Sequence, residues 1–464
     1  MEFLRSNQWD GVKSGQFDVL IIGGGISGTC LFHKLSGAGY RTLLIDKGDF
    51  ASATSQSSAM MIWGGLLYLK HLRLGTVWRL CASRNRLVDE KSEWVRPRAF
   101  RYLVSDERYG RGLLINSALH SYWILGGCRG DRPRRDGEFP ETAFLKESEF
   151  AGSFSYQEAV LSDSDARFAL QWILSPQNTD SRTLNYCSAD ELTFDQTRGR
   201  WLVNLRDHLR SEAAAQVSAR LIVNCAGSWV DEVNQQFGIR APFKHILSKG
   251  VFVAFRRFPD HDQPLIMDTI NGKDCMSLIP WGPVSLWGPT ETCETNLREA
   301  FTVTPVDVTN LLTELNRWLT KPCSAGDVVS IRNGVRALVV NTGSVPKQST
   351  LELSRKFKIH VDRNSPWISV YGGKITDCVR LARALVARIS RRLGPAHATR
   401  RRSEARPAQP EFTSFPGLST KVLSARSCIE HEMCWTLEDY LRRRTNISQW
   451  VPRGGLGRDN ENRG

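Results

Sequence analysis

The residues most able to do chemistry begin with a glycine-rich turn, Gly23-Gly24-Gly25-Ile26-Ser27-Gly28. An apolar run, FDVLII at 17–22, leads into it, as expected of a parallel strand buried on both faces. TCLFHKLSGAG follows, with Leu31, Leu35 and Ala38 at helical spacing, and then a second strand, RTLLID at 41–46, ending in Asp46. Strand, glycine turn, helix, strand and acid in that order form a dinucleotide-binding unit. Gly23 permits the tight turn, Gly25 lets backbone approach a pyrophosphate, and Gly28 lets the helix pack closely on the strand. The helix N-terminus directs N–H donors and positive dipole at the phosphates. Asp46, 18 residues beyond Gly28, is placed to accept from a ribose hydroxyl.

The unit alone does not separate FAD from NAD. The stretch that follows, KGDFASATSQSSAMMIWGGLLYL from Lys47, fills a loop with small and hydroxyl residues. Such a loop can run beside an extended cofactor, where a nicotinamide enzyme would usually move to its next βα unit. LIVNCAG at 221–227 reads as another buried strand ending in a tight turn at Ala226-Gly227. Gly372-Gly373 precedes Lys374-Ile375 and a helical run, which sets N–H groups at a helix start.

With these pieces in place, the chain resembles the FAD-dependent, aerobic-type glycerol-3-phosphate dehydrogenases, within the D-amino-acid-oxidase-like flavoproteins. ATSQSS and GGLLYLKH carry the resemblance, followed in order by SDSDAR (162–167), LIVNCAGSWVDEV (221–233), LSKGVFV (247–253), LIPWGPVSLWGPTE (278–291), IRNGVRAL (331–338) and ISVYGGKITD (368–377). IEHEMCWTLEDYLRRRT (429–445) is similar to part of that family's helical C-terminal domain. The resemblance implies FAD, held by the turn Gly23, Gly25, Ile26, Ser27 and Gly28 and by Asp46 and Lys47. Thr54, Ser55, Ser57 and Ser58 would run along it, with Ala226, Gly227 and Gly334, and with Gly372, Gly373, Lys374 and Ile375 beside the flavin. It also implies hydride transfer from a C–H bearing OH or NH, with Arg336, Lys374 and Tyr68 as the catalytic group.

One segment departs from the pattern. The family usually reads S-S-K-L-I-H-G-G-L-R-Y, where this chain has Ser58-Ala59-Met60-Met61-Ile62-Trp63-Gly64-Gly65-Leu66-Leu67-Tyr68. Three basic residues have become Met60, Trp63 and Leu67. Losing one charged partner of a desolvated phosphate typically costs about 2–5 kcal/mol. The expectation is a changed pocket lined by Met60, Trp63 and Leu67, suited to a larger or less charged substrate, unless Lys249 or Arg332 compensates. The leading reading is oxidation of a secondary alcohol, glycerol 3-phosphate or a relative, with quinone or O₂ as electron acceptor. The alternatives are an oxidase acting on an amine or hydroxyl of a larger non-phosphorylated molecule, and a flavin-binding protein without turnover.

The elements that must position these residues fit 464 residues with globular composition. The fold expected is α/β: a Rossmann-like FAD-binding domain (16–75, 156–235 and 331–394) with an interleaved β-rich substrate domain (236–330) and a short helical C-terminal segment (416–452). A helical insertion is expected at 76–155, a linker at 395–415 and a tail at 453–464. Lys and Arg number 62 against 48 Asp and Glu, a net charge of +14. Residues 391–464 hold 14 basic and 8 acidic side chains, and 76–140 hold 13 and 8. These stretches read as basic surface drawn to anionic membrane. No zinc-finger, RRM or bZIP pattern points to nucleic acid. The eleven cysteines lack a C-x-x-C pair, which speaks against a zinc site or disulfide framework. With no apolar leader or spanning run of roughly 18 residues, the expected location is cytoplasmic, peripheral at the inner face of a membrane.

Overall fold

The computed structural model describes residues 4–13, 15–105, 112–136, 143–174, 180–210, 214–271, 274–343, 356–396 and 409–457. Its first sheet has eight strands centred on Gln16–Ile22, which pairs in parallel with Thr42–Ile45 on one side and Ala214–Asn224 on the other. Arg182–Leu184 and Trp367–Tyr371 extend it in parallel, and the remaining pairings are antiparallel. The side-chain period of two explains the continuous apolar run of the central strand. Val19 and Ile21 enter one core, with the helices Ile26–Gly37 and Cys378–Leu393. Leu20 and Ile22 meet another core on the opposite face.

The second sheet has ten strands, dominated by Phe243–Arg256 paired antiparallel with Val328–Asn341. It draws on more of the chain than 236–330. The stretch 76–155, expected to be helical, contains the helices Leu74–Glu90 and Gly112–Leu125 but also the strand Val95–Ser105. That strand pairs along its length with Phe150–Leu161 and joins Leu265–Asp268. Met61–Ile62 pairs at the far edge of Phe150–Leu161, so residues directly after the cofactor loop belong to this sheet. The same holds for Val328–Asn341, most of which was expected in the nucleotide domain.

Part of the C-terminal segment turns inward, while Arg391, Arg392, Lys421, Arg426 and Arg453 are exposed. Arg443 and Arg444 are buried, and both bind Asp49 in the loop after the second strand, at 2.6 and 2.5 Å. Most of the expected linker and tail (397–408 and 458–464) falls outside the described residues.

Candidate functional site

The glycine turn is held closed by its own lack of side chains. Gly23 sits at φ +106°, and a Cβ there would lie 2.6 Å from the Cys225 carbonyl oxygen, next to Ala226. A Cβ on Gly28 would lie 1.9 Å from the Gly23 carbonyl oxygen. The turn therefore touches both its own helix and the Ala226-Gly227 turn, where Ala226 N–H donates to Asn224 Oδ1 at 3.1 Å and Gly227 adopts φ +59°. Asp46 accepts from the N–H groups of Gly24 (2.6 Å) and Gly48 (2.9 Å). Burial raises its carboxyl to about 7 against the pull of those two donors. Lys47 is exposed.

Loop 51–58 returns along this turn. Ser55 Oγ accepts from Ile26 N–H at 3.0 Å, while the N–H groups of Gly25, Ser27 and Gly28 have no acceptor among the described residues. Thr54 Oγ1 donates to the Val335 carbonyl at 2.6 Å. The Cβ position of Gly334 lies 2.7 Å from the Ser57 carbonyl oxygen, and Ser58 N–H donates to Asp165. Loop and second sheet thus meet at Gly334-Val335. Arg336, two residues on and on the same strand face as Gly334, crosses Gly250, whose missing side chain leaves it room. Its guanidinium lies 3.4 Å from Ser248 Oγ and 3.7 Å from Glu291.

The third approach is the turn Gly372-Gly373. Gly373, at φ +118°, has its Cβ position 3.9 Å from Ser27 Oγ, which brings the turn to the helix start at Ile26. Gly372 N–H donates to His245 Nε2 at 3.1 Å, linking it to the second sheet. Burial lowers the His245 pKa to about 4, so the ring stays a neutral acceptor. Ile375 opens the short helix after the turn. Lys374 Nζ donates to Tyr68 OH at 2.6 Å and lies 4.3 Å from the centre of its ring.

The segment of the three expected substitutions behaves differently. Met60 is not part of a pocket wall beside Tyr68: it is buried in the main core, at φ +53°. Trp63 and Leu67 remain partly exposed, and the Trp63 carbonyl accepts from Thr376 Oγ1 at 3.3 Å. Neither expected substitute cation reaches this region. Lys249 is paired with Glu294 and Asp307 at 3.0 and 3.1 Å, and Arg332 is buried on Asp165 at 2.9 Å. Beneath the segment, Glu158 is buried and accepts from Gly64 N–H, Tyr122 OH and Arg84, which lies 2.9 Å away. Glu158, His245 and Asp49 do not stand out in the sequence. Each works through a partner distant in the chain and leaves no local spacing signal.

A cleft of about 1420 Å³ lies elsewhere, lined by Phe32, Trp281, Trp450 and Arg167, and includes neither the glycine turn nor Tyr68, Arg336 and Lys374.

A family model described as FAD dependent oxidoreductase matches residues 18–351. The chain belongs to the FAD-dependent oxidoreductase family. The aerobic glycerol-3-phosphate dehydrogenase of Staphylococcus aureus (strain MRSA252) is 27% identical over 399 residues, spanning 84% of this chain and 70% of that one. The fold is that of the Bacillus halodurans glycerol-3-phosphate dehydrogenase complexed with FAD (TM-score 0.64, 22% identity, 85% of this chain and 68% of that one). It is likewise that of the Mycoplasma pneumoniae L-alpha-glycerophosphate oxidase with FAD bound (TM-score 0.60, 16% identity, 84% and 97%).

The residues of this chain fit FAD on their own terms. The turn leaves N–H donors at Gly25, Ser27 and Gly28 without protein acceptors, aimed from a helix start, as a pyrophosphate requires. Side chains are absent at Gly23 and Gly28, where any would collide.

Proposed function

We propose that this FAD-dependent oxidoreductase oxidises a secondary alcohol, glycerol 3-phosphate or a close relative, at the meeting point of Tyr68, Lys374 and Arg336. The observation that carries the reading is the bond of Lys374 Nζ to Tyr68 OH at 2.6 Å. It ties the turn after the last parallel strand to the segment that leaves the cofactor loop. The phenol oxygen that accepts from Lys374 marks the place beside which a substrate oxygen would sit. The ammonium favours negative charge developing there as a hydroxyl loses its proton. Arg336, on the strand face that meets the cofactor loop, adds a second cation, partly offset by Glu291. Bound FAD supplies the hydride acceptor. The similarity to proteins named glycerol-3-phosphate dehydrogenase supports the substrate class.

Anaerobic mixing of the yellow holoenzyme with glycerol 3-phosphate, glycerol and amine analogues tests this. Bleaching of the flavin by an alcohol is expected. Bleaching by amines alone, or by none of these compounds, refutes it. Readmitting O₂ or a soluble quinone after bleaching identifies the acceptor.

We further infer contact with an anionic membrane surface. Leu72, Trp78 and Leu113 are 83%, 62% and 82% exposed, and Lys70 and Arg73 flank Leu72 in the chain. Large apolar side chains next to cations suit a headgroup boundary. No helix among the described residues is long and apolar enough to cross a membrane. Co-sedimentation with phosphatidylserine-containing vesicles, but not with neutral ones, is expected. Equal recovery with both overturns the inference.

A further inference from the structure

Trp63 and Leu67 bring no charge to Tyr68 and Lys374, yet cations gather there from another element. Helix Leu74–Glu90 packs on both the turn Leu66–His71 and the turn Ile375–Asp377. Leu80 makes the first contact: its Cδ1 and Tyr68 Cδ2 lie 2.8 and 2.9 Å from the Cβ position of Gly65. Ser83 makes the second, its Oγ donating to Asp377 Oδ1 at 2.9 Å. Arg79 precedes Leu80 and lies one turn before Ser83, on the helix face toward Asp377. Its Nε is buried with no acceptor among the described residues. Burial lowers the Arg79 pKa, and Asp377, Arg380 and Tyr68 all lie within its electrostatic reach. Lys356 is lowered too, by burial and then by Arg79, Arg73, Lys358 and Arg380. Asp377, the carboxylate in this group, already accepts from Ser83 and from Arg380 at 3.1 and 3.3 Å. Converging cations with an unsatisfied buried donor are costly unless an anion joins them.

We propose that Arg79 binds the anionic end of the substrate, a phosphate monoester or a carboxylate, next to the Tyr68–Lys374 pair. This rests on the alcohol-oxidation reading above. It locates the cation that Leu67 does not provide on a helix that the nucleotide and catalytic motifs leave out.

Two measurements on holoenzyme test it. Calorimetric titration with inorganic phosphate at fixed ionic strength should show binding that R79M weakens about tenfold or more and R79K largely restores. In anaerobic flavin reduction, R79M should raise the half-saturating concentration of glycerol 3-phosphate about tenfold and leave that of glycerol unchanged. A 2-hydroxy acid in the same assay distinguishes carboxylate from phosphate by which of the two the substitution penalises more. Unchanged phosphate binding in R79M, or equal losses for glycerol and glycerol 3-phosphate, overturns the proposal. Should R79M not fold, the native enzyme decides. Raising salt from about 50 to about 500 mM must weaken phosphate and glycerol 3-phosphate but not glycerol, and no such difference overturns the proposal. If no alcohol bleaches the flavin, the oxidation reading fails while the phosphate titration still decides the anion site.

Discussion

Replacing Asp49 by Asn should destabilise the protein far more than a typical surface change, because it strands a buried guanidinium. Asp49 is 1% exposed and accepts from Arg443 Nε at 2.6 Å, from Arg444 Nη1 and Nη2 at 2.5 and 2.9 Å, and from Asn185 at 2.8 Å. Burial opposes charge on both arginines, but Asp49 outweighs it and holds both above the ordinary arginine value. The two would fare differently in D49N. Arg443 keeps Asp439 at 2.6 Å and Glu438 at 2.8 Å. Arg444 keeps only the carbonyls of Glu432 and Met433 as acceptors, so it becomes a buried cation with no carboxylate bonded to it and only Asp439 in electrostatic reach. Removing one partner of a buried pair costs about 3–5 kcal/mol, and D49N belongs in that range.

The assay is urea unfolding of apoprotein followed by tryptophan fluorescence, for D49N, R444M and the double variant. If the cost comes from the stranded charge, R444M relieves part of the D49N penalty. The double-mutant cycle then shows coupling of about 1–3 kcal/mol. A D49N loss within about 1 kcal/mol, the scale of ordinary substitutions, would refute the reasoning. So would strict additivity.

Asp46 predicts a pH dependence. Burial pushes its folded carboxyl up to about 7, well above the usual carboxylate range. Its contribution to apoprotein stability is therefore complete below the unfolded value and lost as pH rises through about 7. A ribose hydroxyl donates best to the ionised form, so FAD affinity should rise over the same interval, as read by flavin fluorescence titration between pH about 6 and 8. A flat or falling profile contradicts this role for Asp46. Gly28→Ala places a methyl 1.9 Å from the Gly23 carbonyl oxygen, so the turn must open. Colourless protein with near-native circular dichroism is expected, and a variant that retains FAD at native affinity would show the close approach to be dispensable.

What the sequence made legible was backbone chemistry. Glycines at 23, 25 and 28 act where they stand, so spacing alone located a turn whose Cβ positions are occupied in the fold. Strand Val95–Ser105 was hidden because its residues do not alternate cleanly. Arg101 is buried, and Pro97 and two further arginines interrupt the apolar pattern. The C-terminal LRRR failed for a different reason. Composition treats arginine as surface, and the acid that buries Arg443 and Arg444 lies 394 and 395 residues away. Met60 was misplaced because a residue matched to a basic family position need not keep that position's orientation. Its left-handed φ and buried side chain turn it into the core.

The same distinction reassigns the net charge of +14. Arg5, Arg84 and Arg332 are buried on Asp207, Glu158 and Asp165, as Arg443 and Arg444 are on Asp49. Arginines paired in this way are internal struts that bring their own acids, so they leave the outward field nearly unchanged. One place where cations gather is Arg79, with Asp377, Arg380 and Tyr68 in its reach, and Lys356, which feels Arg73, Arg79, Lys358 and Arg380. Positive charge has left one segment of the expected pocket and reappears beside it on a helix. A substrate anion is thus disfavoured by local motif comparison but favoured by the packing of helix Leu74–Glu90. The packing is the stronger argument, because electrostatic attraction depends on distance in space and not on position in the chain.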